Sequence, residues 1–100
     1  MKNFALCFLN MSRGEVTLED IFYAKGDSIK QVIENEMEDF TADEDDYVFA
    51  NGFTVGDENI VLVVDEDSEW FKQLKSYDSW TDATYDAFCE FAYDEQATYA

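Results

Sequence analysis

The chain has no histidine and no proline, only four glycines and two cysteines, and just six basic residues in 100 positions. Without histidine the usual general base is missing, and with it the Ser–His and Cys–His nucleophile pairs and imidazole metal sites. Cys7 and Cys89 make no zinc motif and no disulfide framework, so two free thiols are expected. The glycines are scattered singly, which excludes a glycine-rich phosphate loop. The shortage of Lys and Arg argues against direct nucleic-acid binding, which needs clustered cations to neutralise phosphates. No apolar run reaches the roughly 20 residues that span a membrane. The apolar residues 4–9 behind Lys2 are short for a signal peptide and are followed by no small-residue cleavage site, so they read as a first strand. No enzyme activity, cofactor or metal is expected from such a set.

What the chain has instead is acid. Asp and Glu number 24, and the formal net charge is −18. Solubility of a small domain asks for only about 2–8 units. Self-repulsion at this density works against the compact state. A disordered acidic tail is not the explanation, because tails are poor in aromatics and 17% of this chain is aromatic and 47% apolar. The signs are also segregated. Between Lys30 and Lys72 fourteen acids occur and no base; after Lys75 there is no base at all. Four of the six bases lie in the first thirty residues, which makes the N-terminal hairpin the less acidic region.

The sequence alternates strand and helix signals over one domain, residues 1–100. Residues 4–10 and 16–24 form a hairpin around a glycine-containing turn. Ser28 with Gln31 has the form of a capping box, and Ile29, Val32, Ile33, Glu36, Met37 and Phe40 then follow helical spacing. Residues 41–46 read as an acidic loop. Residues 47–49 and 53–55 are short strand candidates around Asn51-Gly52, a turn dipeptide. The β-branched run Ile60, Val61, Leu62, Val63, Val64 reads as a central strand buried on both faces. Trp70, Phe71 and Leu74 fit a short helix. The resulting order is ββαββαα. The expected fold is α+β: a small, mostly antiparallel sheet of about four strands with two to three helices, packed on one side.

The last quarter carries the main functional signal. Tyr-Asp recurs at Tyr77-Asp78, Tyr85-Asp86 and Tyr93-Asp94, and Asp82 and Glu90 fall between. Asp78, Asp82, Asp86, Glu90 and Asp94 are therefore successive i,i+4 neighbours on a helix. Like charges at this spacing cost a few tenths of a kcal/mol per pair. Folding alone offers no reason for such a ladder. Ser79 with Asp82 has a capping-box form and starts the helix near Trp80. Trp80, Thr84, Ala87, Phe88 and Phe91, with Tyr77, gather on the opposite face as a core stripe. At about 1.5 Å rise per residue the acids stand about 6 Å apart, sparser than the roughly 3.4 Å phosphate spacing of one DNA strand. Other acids would have to fill in. The candidates are Asp43, Glu44, Asp45 and Asp46 in the first acidic loop and Asp65, Glu66 and Asp67 in the second. Neither loop is an EF-hand, which needs Gly at position six and Glu at twelve. Counting from Asp43 those positions are Val48 and Thr54; counting from Asp65 they are Trp70 and Ser76.

In size and charge the chain resembles the phage-type DNA mimics, which include anti-restriction and anti-CRISPR inhibitors. The resemblance implies a non-enzymatic inhibitor of a bacterial host's cytoplasm. It would occupy the basic groove of a nuclease, CRISPR effector or restriction enzyme, with carboxylates taking the Arg and Lys partners of phosphates. An alternative is an immunity protein or antitoxin that neutralises one basic toxin through an acidic patch with aromatic anchors. Tyr85 and Tyr93 are the anchor candidates, against the simpler reading that they pack within the fold. A third reading is a solvated acidic surface with no partner. The chain is expected to be a monomer or a homodimer.

Overall fold

A computed structural model describes residues 1–12, 15–39 and 48–96. Five strands and three helices follow in the order β1 (Lys2–Asn10), β2 (Thr17–Gly26), α1 (Ile29–Asp39), β3 (Val48–Phe49), β4 (Gly52–Val55), β5 (Asn59–Asp65), α2 (Glu69–Lys75) and α3 (Asp82–Gln96), with a 3-10 turn at Tyr77–Ser79 before α3. The fold is α+β, and five strands form where about four are expected, because both short candidates around Asn51-Gly52 are realised and pair with each other. All strand pairs are antiparallel, in the order β2-β1-β5-β4-β3.

The two apolar runs take the middle of the sheet. In β1, Phe4 and Leu6 face one side while Ala5, Cys7 and Leu9 face the other; in β5, Val61 and Val63 oppose Ile60, Leu62 and Val64. A strand buried on both faces has no use for polar alternation. Two cores result. One joins Phe4, Leu6, Phe53, Val61 and Val63 to Val32 and Ile33 of α1. The other joins Ala5, Cys7, Leu9, Ile60, Leu62 and Val64 to Phe71 and Leu74 of α2 and Phe88 and Ala92 of α3. Helices therefore cover both faces, not the single face expected from the sequence. The reason is the apolar content of β1 and β5, each of which presents two faces that must leave water.

The partial alternation of β2 also has a cause. Phe8 pairs with Asp20 and Leu9 with Leu18, so Glu19 has no opposite residue. This is a β-bulge. It puts Leu18 and Ile21, three positions apart, on the same core.

Caps set the helix ends. Ser28 Oγ accepts from the Gln31 N–H at 3.2 Å, and Gln31 Oε1 accepts from the Asp27 N–H at 2.7 Å, close to the expected capping box. Ser68 caps α2 through the Trp70 N–H. The β3–β4 turn falls on Ala50-Asn51, one residue before the Asn51-Gly52 turn expected from sequence, because Phe49 pairs with Gly52. Gly52 is required inside β4: a Cβ there would stand 2.1 Å from the Val61 carbonyl oxygen and 2.7 Å from the Phe49 ring. Among the described residues no helix is long and apolar enough to cross a membrane.

Candidate functional site

α3 begins two residues later than the sequence suggested. Thr81, not Ser79, is the cap: its Oγ1 accepts from the Thr84 N–H at 3.2 Å and its carbonyl from the Tyr85 N–H at 3.0 Å. Ser79 belongs to the 3-10 turn, and so does Asp78. The helical ladder is therefore Asp82, Asp86, Glu90 and Asp94, with Asp78 exposed just before it. Asp82 sits in the first turn, where the helix dipole favours an anion, while Asp94 near the other end meets an unfavourable one.

The helix is also rotated from the expected wheel. Its inner face is Tyr85, Phe88, Cys89, Phe91 and Ala92, and Ala87, expected in the core stripe, is exposed. Phe88 is fully buried among rings: Trp70 at 5.1 Å, Trp80 at 5.4 Å and Phe91 at 6.0 Å between centroids. Edge-on and tilted ring pairs of this kind contribute about 0.5–1.5 kcal/mol each beyond burial. Trp80 is fixed further by its indole N–H, which donates to the Gln73 carbonyl at 2.7 Å.

Three polar contacts hold α3 across the sheet. The Tyr85 hydroxyl accepts from the Leu18 N–H at 2.9 Å, the Cys89 thiol donates to the Val16 carbonyl at 3.4 Å, and the Asn51 side chain donates to the Glu95 carboxylate. Burial raises the Cys89 thiol above its ordinary range, and raises the fully enclosed Cys7 to about 12. Neither is a reactive thiolate. The α3 register is thus set by Tyr85, Cys89 and Glu95, and the acids Asp82, Asp86, Glu90 and Asp94 all point outward and are exposed.

No Lys or Arg among the described residues lies within ion-pair distance of Asp82, Asp86 or Glu90; the ion pairs present join Lys2 to Asp65 at 3.1 Å and to Asp67 at 2.9 Å. The second candidate loop is therefore partly neutralised by a lysine from the opposite end of the chain. The Asp67 N–H, at 2.9 Å, and then Lys2 hold the Asp65 carboxyl below its usual range. Glu66, in the same turn, is half-buried and ties back through its N–H to the Asn3 carbonyl at 3.1 Å. This turn leads into α2, which shares the α3 face of the sheet. Asp43, Glu44, Asp45 and Asp46 lie outside the described residues. Glu34, Glu38 and Asp39 are exposed on α1, across the sheet from α3. The acidity is thus spread over both outer layers rather than gathered on one.

The two aromatic candidates part company. Tyr85 is half-buried with its hydroxyl accepting from the Leu18 N–H; Tyr93 is 50% exposed on the acid face beside Asp94. Nothing in the sequence marks Glu95 apart from its place directly after the last ladder acid, because its partner Asn51 lies forty-four residues away.

A recess of about 320 Å³ between α1 and β3 has a mainly apolar surface from Ile29, Ile33, Met37, Val48 and Phe49, with Lys30 and Glu34 also in its lining. Among the described residues no group of three or more His, Cys, Asp or Glu is placed to hold a metal ion. Scans against protein-family models, curated proteins and solved structures each find no match to this chain.

Proposed function

We propose that the chain is a non-enzymatic inhibitor that presents carboxylates to the basic groove of a nucleic-acid-binding protein, in the manner of a phage or mobile-element DNA mimic acting in the cytoplasm of a bacterial host. The observation that carries this reading is the outer face of α3. Four acids recur there every fourth residue, exposed, while the opposite face does all the packing. The repulsion along the row opposes folding, and none of Asp82, Asp86 or Glu90 gains an ion pair among the described residues in return. Such a row is useful to a partner rich in Arg and Lys, which it would attract over distance and meet with charge-assisted hydrogen bonds.

The target class is a nuclease, CRISPR effector or restriction enzyme, whose groove already fits a polyanion. The row supplies about one charge per 6 Å, so Asp78 before it and the Asp65–Asp67 turn on the same side of the sheet would supplement it. A second reading, an immunity protein or antitoxin against a single basic toxin, draws support from Tyr93, whose exposed ring beside Asp94 is suited to a central anchor. Capture from bacterial lysates carrying defence systems, followed by a DNA-competition assay on the recovered protein, tests both. A recovered protein that DNA displaces supports mimicry. One that DNA leaves bound, but that Tyr93→Ala releases, supports the dedicated inhibitor. Recovery of no nucleic-acid-binding protein or toxin contradicts both.

A further inference from the structure

We propose that two copies of this chain pair through the outer edges of their β2 strands, in an antiparallel register centred on Phe22, and so form one continuous ten-stranded sheet. The two edges of the sheet are unlike. β3 is two residues long, whereas β2 runs for ten residues, Thr17–Gly26, and pairs with no strand but β1 among the described residues; α3 meets its first residues, where the Leu18 N–H donates to the Tyr85 hydroxyl. A long edge strand is a template for a further strand. Phe22 and Tyr23 in its middle are 42% and 51% exposed.

The backbone fixes which registers are allowed. The Ile21 N–H is bonded to Asp20 Oδ1 at 2.8 Å and so is turned away from the β1 ladder. Peptide groups alternate in direction along a strand, so Ile21, Tyr23 and Lys25 face outward, and pairing requires the Asp20 carboxylate to release the Ile21 N–H. Two β2 edges can bond only if outward residues meet outward residues. With Phe22 on the two-fold axis, Ile21 faces Tyr23 of the second copy, and Lys25 faces Glu19. The neighbouring allowed registers set Lys25 opposite Thr17 or Ile21. Of these three registers the Phe22-centred one alone pairs the lysine with an acid, and symmetry makes that contact twice. Glu19 is the bulged residue, so the backbone ladder stops there and the Glu19–Lys25 contact is made by side chains.

Charge selects the same edge. Residues 1–30 contain four acids (Glu15, Glu19, Asp20, Asp27) and four bases (Lys2, Arg13, Lys25, Lys30), a net charge of zero. Two molecules of −18 can approach through this region with the least repulsion. An antiparallel strand pair keeps like faces on the same side of the sheet. Both α3 helices would then lie on one side, doubling the acidic face. The pairing itself does not depend on the inhibitor reading, and its test involves no target.

The test is sedimentation equilibrium of the full chain at about 0.15 M salt, where screening acts within about 8 Å. The expected result is a reversible dimer of the 11.6 kDa chain. Glu19→Lys and Lys25→Glu should each weaken it about tenfold, from two opposite-charge contacts turned repulsive. The double variant should restore it, and an equimolar mixture of the two single variants should form a heterodimer. A general charge effect gives a different pattern, because Glu19→Lys lowers the net charge and would then strengthen association. Circular dichroism checks that each variant is folded. A chain that stays monomeric up to millimolar concentration, or a dimer indifferent to these exchanges, overturns the proposal.

Discussion

The β1–β2 hairpin and α3 are built on opposite terms. The hairpin lies within the first thirty residues, where acids and bases balance; the remaining seventy carry twenty acids and two bases. In the hairpin, β1 is needed on both faces and its charged residue near the start, Lys2, is paired. In α3, one face does the packing and the other carries a row of exposed acids. A uniform demand for solubility would spread charge over both. The contrast shows that this chain can build its central strands without net charge, and that the excess sits where the fold does not use it.

The largest expected effect breaks the inner side of α3. Phe88→Ala removes a fully buried ring from the Trp70, Trp80 and Phe91 cluster and should cost about 3–5 kcal/mol in urea unfolding. A cost below about 1 kcal/mol would mean that α3 is not held as described.

A smaller effect of opposite sign is expected on its outer side. Asp86→Asn with Glu90→Gln relieves three like-charge i,i+4 contacts and should stabilise the protein by about 1 kcal/mol at low salt, less at high salt. The matching neutralisation in the hairpin region, Glu15→Gln with Asp27→Asn, should give no such gain, because the local charge is already balanced. Equal gains in both regions would dissolve the comparison.

The smallest effect belongs to the exposed Lys2–Asp65–Asp67 group. Hydrogen bonds that Lys2 donates to Asp67 and then Asp65 raise it, so its contribution is present below pH 10.5 and lost as pH rises through the folded value. Asp65 is lowered, by the Asp67 N–H first and Lys2 after it, so its contribution is present above pH 3.8 and lost as pH falls through the folded value. Glu36 acts in reverse: burial and then Asp39 raise it, so stability falls as pH climbs from the usual carboxylate value through the raised one. In thermal melts Lys2→Met should flatten the acid limb slightly and Glu36→Gln should remove a slight decline above it.

Much of this was legible in the sequence where one residue type served one purpose. The β-branched run of β5, the Ser28 cap of α1 and the Trp70, Phe71 and Leu74 stripe of α2 each state their structure locally. The layering was not, because it depends on β1 being apolar on two faces at once. The phase of β2 was hidden by the bulge at Glu19, and the start of α3 by two hydroxyl caps, Ser79 and Thr81, two residues apart. In the candidate site, the outward row Asp82, Asp86, Glu90 and Asp94 followed from its period alone. The partial neutralisation of Asp65 and Asp67 did not, since Lys2 comes from the far end of the chain. Nor did the role of Tyr85, whose partner is a backbone N–H sixty-seven residues away.

The most direct measurement compares capture of partners from bacterial lysates carrying defence systems, at about 0.15 M and 0.5 M salt, by three proteins: the natural chain, the Asp86→Asn/Glu90→Gln variant and a hairpin-region variant, Glu15→Gln/Asp27→Asn. The natural chain and the hairpin-region variant should recover the same basic, nucleic-acid-binding protein at the lower salt, and the α3 variant should lose most of it. Equal recovery by all three, or loss with the hairpin variant alone, would contradict a working acidic face on α3.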